Sequence, residues 1–385
     1  MSSDIIYIGV NDYDLHLFES QYPVPCGMAY NSYLIKDEKI AIIDTVDARK
    51  SDEWKQNLSN ALNGQTPDYL IVQHMEPDHS ALIQWVIEKY DNIKIVATQK
   101  AIQMMPQFFE NINLTNRTQT VKEGDKLHLG RHQLQFIVAP MVHWPEVMVS
   151  YESTEKVLFS ADAFGSFGTL DQQEDDWACE ARRYYFNICG KYGTPVQNLL
   201  KKASALDIQT ICSLHGPILE KESLTHALSL YNIWSSYKAE KDGVFVGYAS
   251  IHGGTKAVAE EVAEILRKKS VKVCLMDLTQ EEVSFAVEDA FAYGKAIFAA
   301  CSYDAGLFPP MYNLLHHLQA KGWQNKKVGI IENGSWAPSA GKVMKEMLES
   351  MKNVEIIEPI VTITSRMKTA DKAQLEVLAQ ALIDA

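Results

Sequence analysis

The strongest constraint on the fold is a change of grammar near Lys241-Asp242-Gly243. Beyond it, five apolar runs alternate with five helical stretches to the end of the 385-residue chain. The strands fall at about 244–249, 271–276, 295–300, 327–332 and 354–360, and the helix after the first spans about 255–268. Strands that alternate with helices need crossover connections, so this half reads as a doubly wound parallel sheet. The first half is built differently. Short strands are expected within 28–35, 39–45, 69–73, 93–98, 126–129, 133–139, 147–151, 156–161 and 208–214. Helices fall at about 51–63, 79–90, 99–109, 194–206 and 222–240. Lys36-Asp37-Glu38-Lys39 sits between two apolar runs as the turn of a hairpin. The pattern is α+β, a sandwich of two sheets with helices outside. Two domains follow, 1–242 and 243–385.

Composition narrows the function classes. The net charge is −13, from 36 basic and 49 acidic residues. An acidic chain does not suit nucleic acid, whose affinity comes from cationic contacts to phosphate. No stretch approaches the roughly 20 apolar residues of a membrane span. Met1-Ser2-Ser3-Asp4 carries neither a basic nor an apolar leader region. The six cysteines are scattered, with no Cys-x-x-Cys pair. That pattern fits a reducing compartment and a cytoplasmic location, and argues against a thiolate metal site.

Chemistry concentrates at strand ends. The loop after 69–73 reads His74-Met75-Glu76-Pro77-Asp78-His79, four potential ligands in six residues. His143, Asp162 and His215 each stand just past an apolar strand, where loops present side chains over a rigid sheet. The set holds four imidazoles and three carboxylates, enough for two metal ions sharing a bridge. Mixed nitrogen and oxygen donors suit iron, manganese or zinc rather than copper(I). A lone histidine is usually a hydrogen-bonded or surface residue. Unpaired burial of a six-residue cluster would be costly, so metal binding is the better reading.

The second half carries a different site. In flavodoxin order, ligands bind beyond the carboxyl ends of the first, third and fourth strands. The first of these loops is Ser250-Ile251-His252-Gly253-Gly254-Thr255, followed by a helix. Hydroxyls, glycines and a helix N-terminus make a phosphate cradle without a cation. The next contains Ser302, Tyr303, Asp304 and Gly306, and the last Asn333, Gly334, Ser335 and Trp336. Tyr303 and Trp336 are placed to contact a flat ring. No Gly-x-Gly-x-x-Gly follows the first strand, which disfavours a dinucleotide. The three loops together point to FMN.

These motifs resemble a known family. The metallo-β-lactamase superfamily carries His-x-His-x-Asp-His, and here Glu76 replaces the second histidine. That variant is similar to the flavodiiron proteins, in which a non-haem di-iron domain precedes a flavodoxin-like FMN domain. The spacings of 64 residues from His79 to His143 and 19 from His143 to Asp162 resemble that family, as does Ala29-Tyr30-Asn31-Ser32-Tyr33-Leu34. The implied fold is a metallo-β-lactamase-like αββα sandwich followed by a flavodoxin-like sheet.

The resemblance implies that His74, Glu76, His143 and Asp162 bind one iron. Asp78, His79, His215 and bridging Asp162 bind the other. An anionic oxygen at Glu76 favours Fe(III) over what a neutral imidazole would. The resemblance also implies reduction of dioxygen to water, of nitric oxide to nitrous oxide, or both. Tyr192 resembles a tyrosine near the substrate pocket. An external donor such as rubredoxin and a head-to-tail homodimer, or a dimer of dimers, are implied as well. One departure is local: Ala337 and Pro338 stand where the family loop often carries Gly and Trp. The rival class is a metal-dependent hydrolase of the same superfamily with a flavodoxin-like docking domain, and Glu76 argues against it.

Overall fold

The structure is a computed structural model that describes residues 3–172 and 177–385. Two compact units are present. One comprises residues 1–185 and 194–232, the other 186–193 and 233–385.

The first unit holds two six-stranded sheets. In one, the strands Ile5–Tyr7, Tyr33–Ile35, Ala41–Ile43, Tyr69–Val72, Lys94–Thr98 and Thr118–Val121 lie side by side in that order. In the other the order is Lys126–His128, Gln133–Val138, Met148–Glu152, Val157–Phe159, Thr210–Cys212 and Leu219–Glu220. Apolar side chains of both sheets form one core, Ile35, Ile43, Ile71 and Val96 from the first and Leu134, Phe136, Met148 and Phe159 from the second. Fully burying each such side chain contributes about 1.5–3 kcal/mol.

Strand direction decides where the loops gather. Gln133–Val138 and Val157–Phe159 each pair antiparallel with Met148–Glu152, and Val157–Phe159 pairs parallel with Thr210–Cys212. Three strands of this sheet therefore run the same way. The loops leaving their carboxyl ends carry His143, Asp162 and His215.

The second unit is the expected parallel sheet, in the order Val273–Asp277, Lys241–Ala249, Tyr293–Tyr303, Lys326–Asn333, Val354–Ile363. The first strand in sequence lies second in space, which is the flavodoxin arrangement. The strand Lys241–Ala249 begins at the residues where the change of grammar was placed. The compact units divide about ten residues earlier. Phe186 stacks on Phe291 at 4.2 Å and packs against Trp234, so both join the second core.

Two local expectations differ. The apolar run 28–35 is not one strand: Met28–Tyr30 pairs with Val10–Asp12, and Tyr33–Ile35 belongs to the first large sheet. Buried Asn31 and Ser32 divide it. Asn31 Nδ2 donates to the carbonyls of Ser213 and Gly216, and Ser32 Oγ donates to that of Asp44. The helix Trp177–Ile188 was not expected. Its Cys, Tyr, Phe and Asn residues are weak helix formers, and packing outweighs propensity there.

Lys326 is a buried cation of the second unit. Its Nζ donates to the carbonyls of Phe291 at 2.8 Å and Tyr293 at 2.5 Å, and burial pushes its pKa down to about 7. An unfolded lysine titrates near 10.4. Between these values the unfolded state holds more protons, so stability rises with pH by up to about 1.4 kcal/mol per unit. Below pH 7 both states are protonated and the slope vanishes. Lys326→Met removes this dependence. The stability of the native chain relative to that variant is expected to grow by about 1–2 kcal/mol from pH 7 to pH 9. Denaturant melts at both values check it, and a constant difference contradicts it.

Candidate metal centre and flavin site

His74 follows the strand Tyr69–Val72, and the chain turns at once into the short helix Pro77–Ser80. Proline at the first helical position suits this turn, because its missing N–H would be unpaired there anyway. Glu76 is the N-cap in extended conformation, while Asp78 and His79 stand in the helix. The compact turn gathers four donors within one loop.

The seven sequence-chosen residues come together in two groups. His74, Glu76, His143 and Asp162 form one, and Asp78, His79 and His215 the other. Within each group one ligand atom per residue lies within 4.8 Å of the rest. In the first, His143 Nε2 is 2.9 Å from Glu76 Oε2 and 3.0 Å from Asp162 Oδ2, and His74 Nε2 is 3.3 Å from the same Asp162 oxygen. In the second, His79 Nε2 lies 2.9 Å from His215 Nε2 and 3.2 Å from Asp78 Oδ2. Asp162 reaches both, since its Oδ1 is 3.5 Å from His79 Nε2 and 3.9 Å from His215 Nε2.

The electrostatics suit cations. Burial alone would raise the Asp162 carboxyl, but the His74, His143 and His79 imidazoles hold it well below the usual range. Asp78 is likewise held low against its burial by His79 and His215. Burial pushes Glu76 up, and the bonds from His143 and His74 outweigh it. The imidazoles move the other way. Burial lowers His143, yet Asp162 and Glu76 raise it to about 9. His74 is raised well above its ordinary value, chiefly by Asp162 against its burial. Protons on imidazole thus balance buried carboxylates, and binding a dication in their place releases those protons.

The donor set fits two oxygen- and nitrogen-ligated ions. Both Asp78 oxygens and Asp162 Oδ1 are buried without a hydrogen-bond partner, although imidazole nitrogens stand nearby. Buried polar atoms are rarely left so. Aromatic rings wall the cluster: Trp144 lies 5.2 Å from the His74 ring, while Phe18, Tyr30 and Tyr184 surround His215 at 5.4–5.9 Å. The side chains of Glu76 and Asp78 are 16 % and 10 % exposed, so access is from their side.

Tyr192 is not among these residues. It ends the turn Gly190–Tyr192, which belongs to the second unit. Two residues that sequence reading missed support the motif loop. Asp44 accepts from the Gln73 backbone N–H and amide. Glu146 accepts from His74 and Met75. Asp44 ends an apolar strand, a signal like that of Asp162. Glu146 lies three residues after His143 with no pattern of its own.

In the second unit the three strand-end loops lie at the carboxyl edge of the sheet. The helix Gly254–Lys268 has no side-chain cap, so its first N–H groups are available to an anion. Gly253, at φ 81°, adopts a left-handed conformation that favours glycine. A Cβ on Gly254 would stand 2.7 Å from the Ser365 carbonyl. Thr255 is buried, and Ser250 Oγ is buried without a partner. These features fit the phosphate of FMN. Ile251, Tyr303 and Trp336 are 43 %, 45 % and 93 % exposed, and the two aromatics offer flat surfaces to a ring; His252, Asp304 and Ser335 are also exposed. Ser302 Oγ accepts from the N–H groups of Ser339 and Ala340 and so caps the helix Ala340–Glu349. The fourth loop was missed. Ser365 accepts from Asn333 Nδ2 through its carbonyl and bonds Ser335 through its hydroxyl.

Comparison with known proteins covers both units. A family model described as "ODP family beta lactamase" matches residues 28–216. The solved structure of rubredoxin oxygen:oxidoreductase from Desulfovibrio gigas aligns with a TM-score of 0.93 and 27 % identity, over 100 % of this chain and 97 % of that one. The anaerobic nitric oxide reductase flavorubredoxin of Vibrio vulnificus is 27 % identical over 87 % of this chain and 70 % of its own length. A putative diflavin flavoprotein of Nostoc is 30 % identical over 94 % of this chain, which spans 62 % of that relative.

Glu76→His tests the carboxylate. It recreates the hydrolase-type donor set and removes an anion from one group. Iron retention or gas reduction is expected to fall at least tenfold, the lower end for disturbing a metal site. Metal analysis with turnover assays reads this, and full iron with full activity contradicts it.

Proposed function

The chain belongs to the flavodiiron protein family, and from that premise we propose that it is an oxidoreductase reducing dioxygen to water, nitric oxide to nitrous oxide, or both. Relatives named for each of these activities resemble it along most of its length. The observation that carries the reading is Asp162, whose two oxygens face two different groups of donors. A hydrolytic zinc site of the same superfamily has no need of the additional anion that Glu76 supplies.

Two non-haem irons would be held by His74, Glu76, His143 and Asp162, and by Asp78, His79, His215 and the shared Asp162. FMN would lie on the loops of 250–255, 302–306 and 333–336. When bound, the iron pair and the flavin supply single electrons to the gas. The residues of the chain do the rest. Glu76, Asp78 and Asp162 neutralise the cations. Trp144, Phe18, Tyr30 and Tyr184 exclude water from the buried flank of the imidazoles. The partly exposed side of Glu76 and Asp78 admits a small gas. Tyr192 is kept near the substrate pocket on the family resemblance alone.

The domains assigned on this reading are 1–242 for iron and 243–385 for FMN. No helix among the described residues is long and apolar enough to cross a membrane, and scattered free cysteines suit a cytoplasmic setting. A rubredoxin-like protein is the electron donor on this reading, which a relative named rubredoxin-oxygen oxidoreductase, 94 % of whose length is matched, supports. A head-to-tail homodimer, alone or paired into a tetramer, would place the flavin of one copy beside the iron pair of the other.

Mixing two inactive variants tests activity and assembly together. His143→Ala removes an iron donor. Thr255→Glu sets a like charge in the phosphate cradle. Each alone should be inactive with donor and gas supplied. After subunit exchange, up to about half of native activity per mixed dimer is expected, read as stopped-flow oxidation by dioxygen and by nitric oxide. Confirmed exchange without activity contradicts the head-to-tail arrangement. A native protein inert to both gases contradicts the function.

A further inference from the structure

The three most buried imidazoles of the metal centre are backed in three different ways. His215 Nδ1 donates to the Ala29 carbonyl at 2.8 Å. His79 Nδ1 is buried without a partner. His74 Nδ1 alone meets a carboxylate, Glu146 Oε1 at 2.9 Å. That acid is set firmly. Its side chain is fully buried, the same oxygen accepts from the Met75 N–H at 2.8 Å, and its own carbonyl accepts from Thr98 Oγ1 at 2.9 Å.

When an ion takes the place of the Nε2 proton, the proton that remains on His74 sits on Nδ1, facing the Glu146 oxygen, and Nε2 is presented to the ion. A charged acceptor behind an imidazole strengthens it as a donor more than a carbonyl does. We propose that Glu146 is a positioning residue that makes the two iron positions unequal, so that the position held by His74, Glu76, His143 and Asp162 retains Fe(III) when the first electron arrives. An electron delivered from the flavin would then convert Fe(III) to Fe(II) at the position of Asp78, His79 and His215. This rests on the di-iron reading above. A structural clamp on the motif loop would need only the acceptor oxygen, whereas this role needs the charge.

Glu146→Gln separates the two, because an amide oxygen can accept from both N–H groups without the charge. The purified, iron-loaded protein is titrated with dithionite and followed by electron paramagnetic resonance, with iron content measured alongside. The native protein should show two one-electron steps. In the variant, the lower step should shift upward by at least tenfold in its equilibrium constant, 59 mV for one electron, and the upper step should stay. Loss to a chelator of one iron, held 10–100-fold more weakly, with the other unchanged, also supports the role. Both irons held and both steps unchanged overturn it. If the Gln variant does not fold, Glu146→Asp decides by the same titration, because it keeps the charge while shortening the reach to both N–H groups. A lower step that stays within 59 mV of the native one supports the proposal, and a shift of both steps, as a loosened loop would give, overturns it. A native protein that binds no iron overturns instead the reading on which this rests.

Discussion

Everything in the first unit depends on one shared carboxylate. Asp162 stands at the end of Val157–Phe159 with one oxygen toward His74 and His143 and the other toward His79. A buried acid can stay ionised there only while cationic groups surround it. Imidazolium protons meet that need in the bare chain, and metal ions meet it better. The sandwich exists to make this meeting possible. The loop after Tyr69–Val72 comes from one sheet, and His143, Asp162 and His215 come from three like-directed strands of the other. Both sheets share one apolar core, so the two donor sources are fixed relative to each other.

The supporting contacts work at longer range in sequence. Asn31 ties the first part of the chain to the carbonyls of Ser213 and Gly216, on either side of His215. Asp44 holds Gln73, the residue before His74. Replacing Asn31 or Asp44 leaves the seven donors in place chemically and loosens the loops that present them, which is how residues remote from an ion alter its affinity.

Much of this was legible in the sequence. Alternating strands and helices after Gly243 announced the parallel sheet, because parallel strands are buried on both faces and read as continuous apolar runs. The metal loop was legible because six residues held four ligands. What escaped was nonlocal. The break at Asn31 and Ser32 lies within an apolar run, and partners 182 and 185 residues from Asn31 and 12 from Ser32 show why it is there. Glu146 looks like any surface acid until His74 is folded against it. Tyr192 was chosen by resemblance, and the structure places it in the second unit. Ser302 sat at a ligand-facing strand end, yet its hydroxyl caps a helix. Strand ends carry both kinds of duty, and composition does not separate them.

The central claim is that a redox metal pair and a flavin share one chain. Metal analysis of the purified protein together with its absorption spectrum tests that most directly. The account predicts about two irons and one FMN per chain. Zinc in place of iron, with flavin still bound, would contradict it and select the hydrolytic relatives of the fold, while flavin without any metal would make the seven donors a relic.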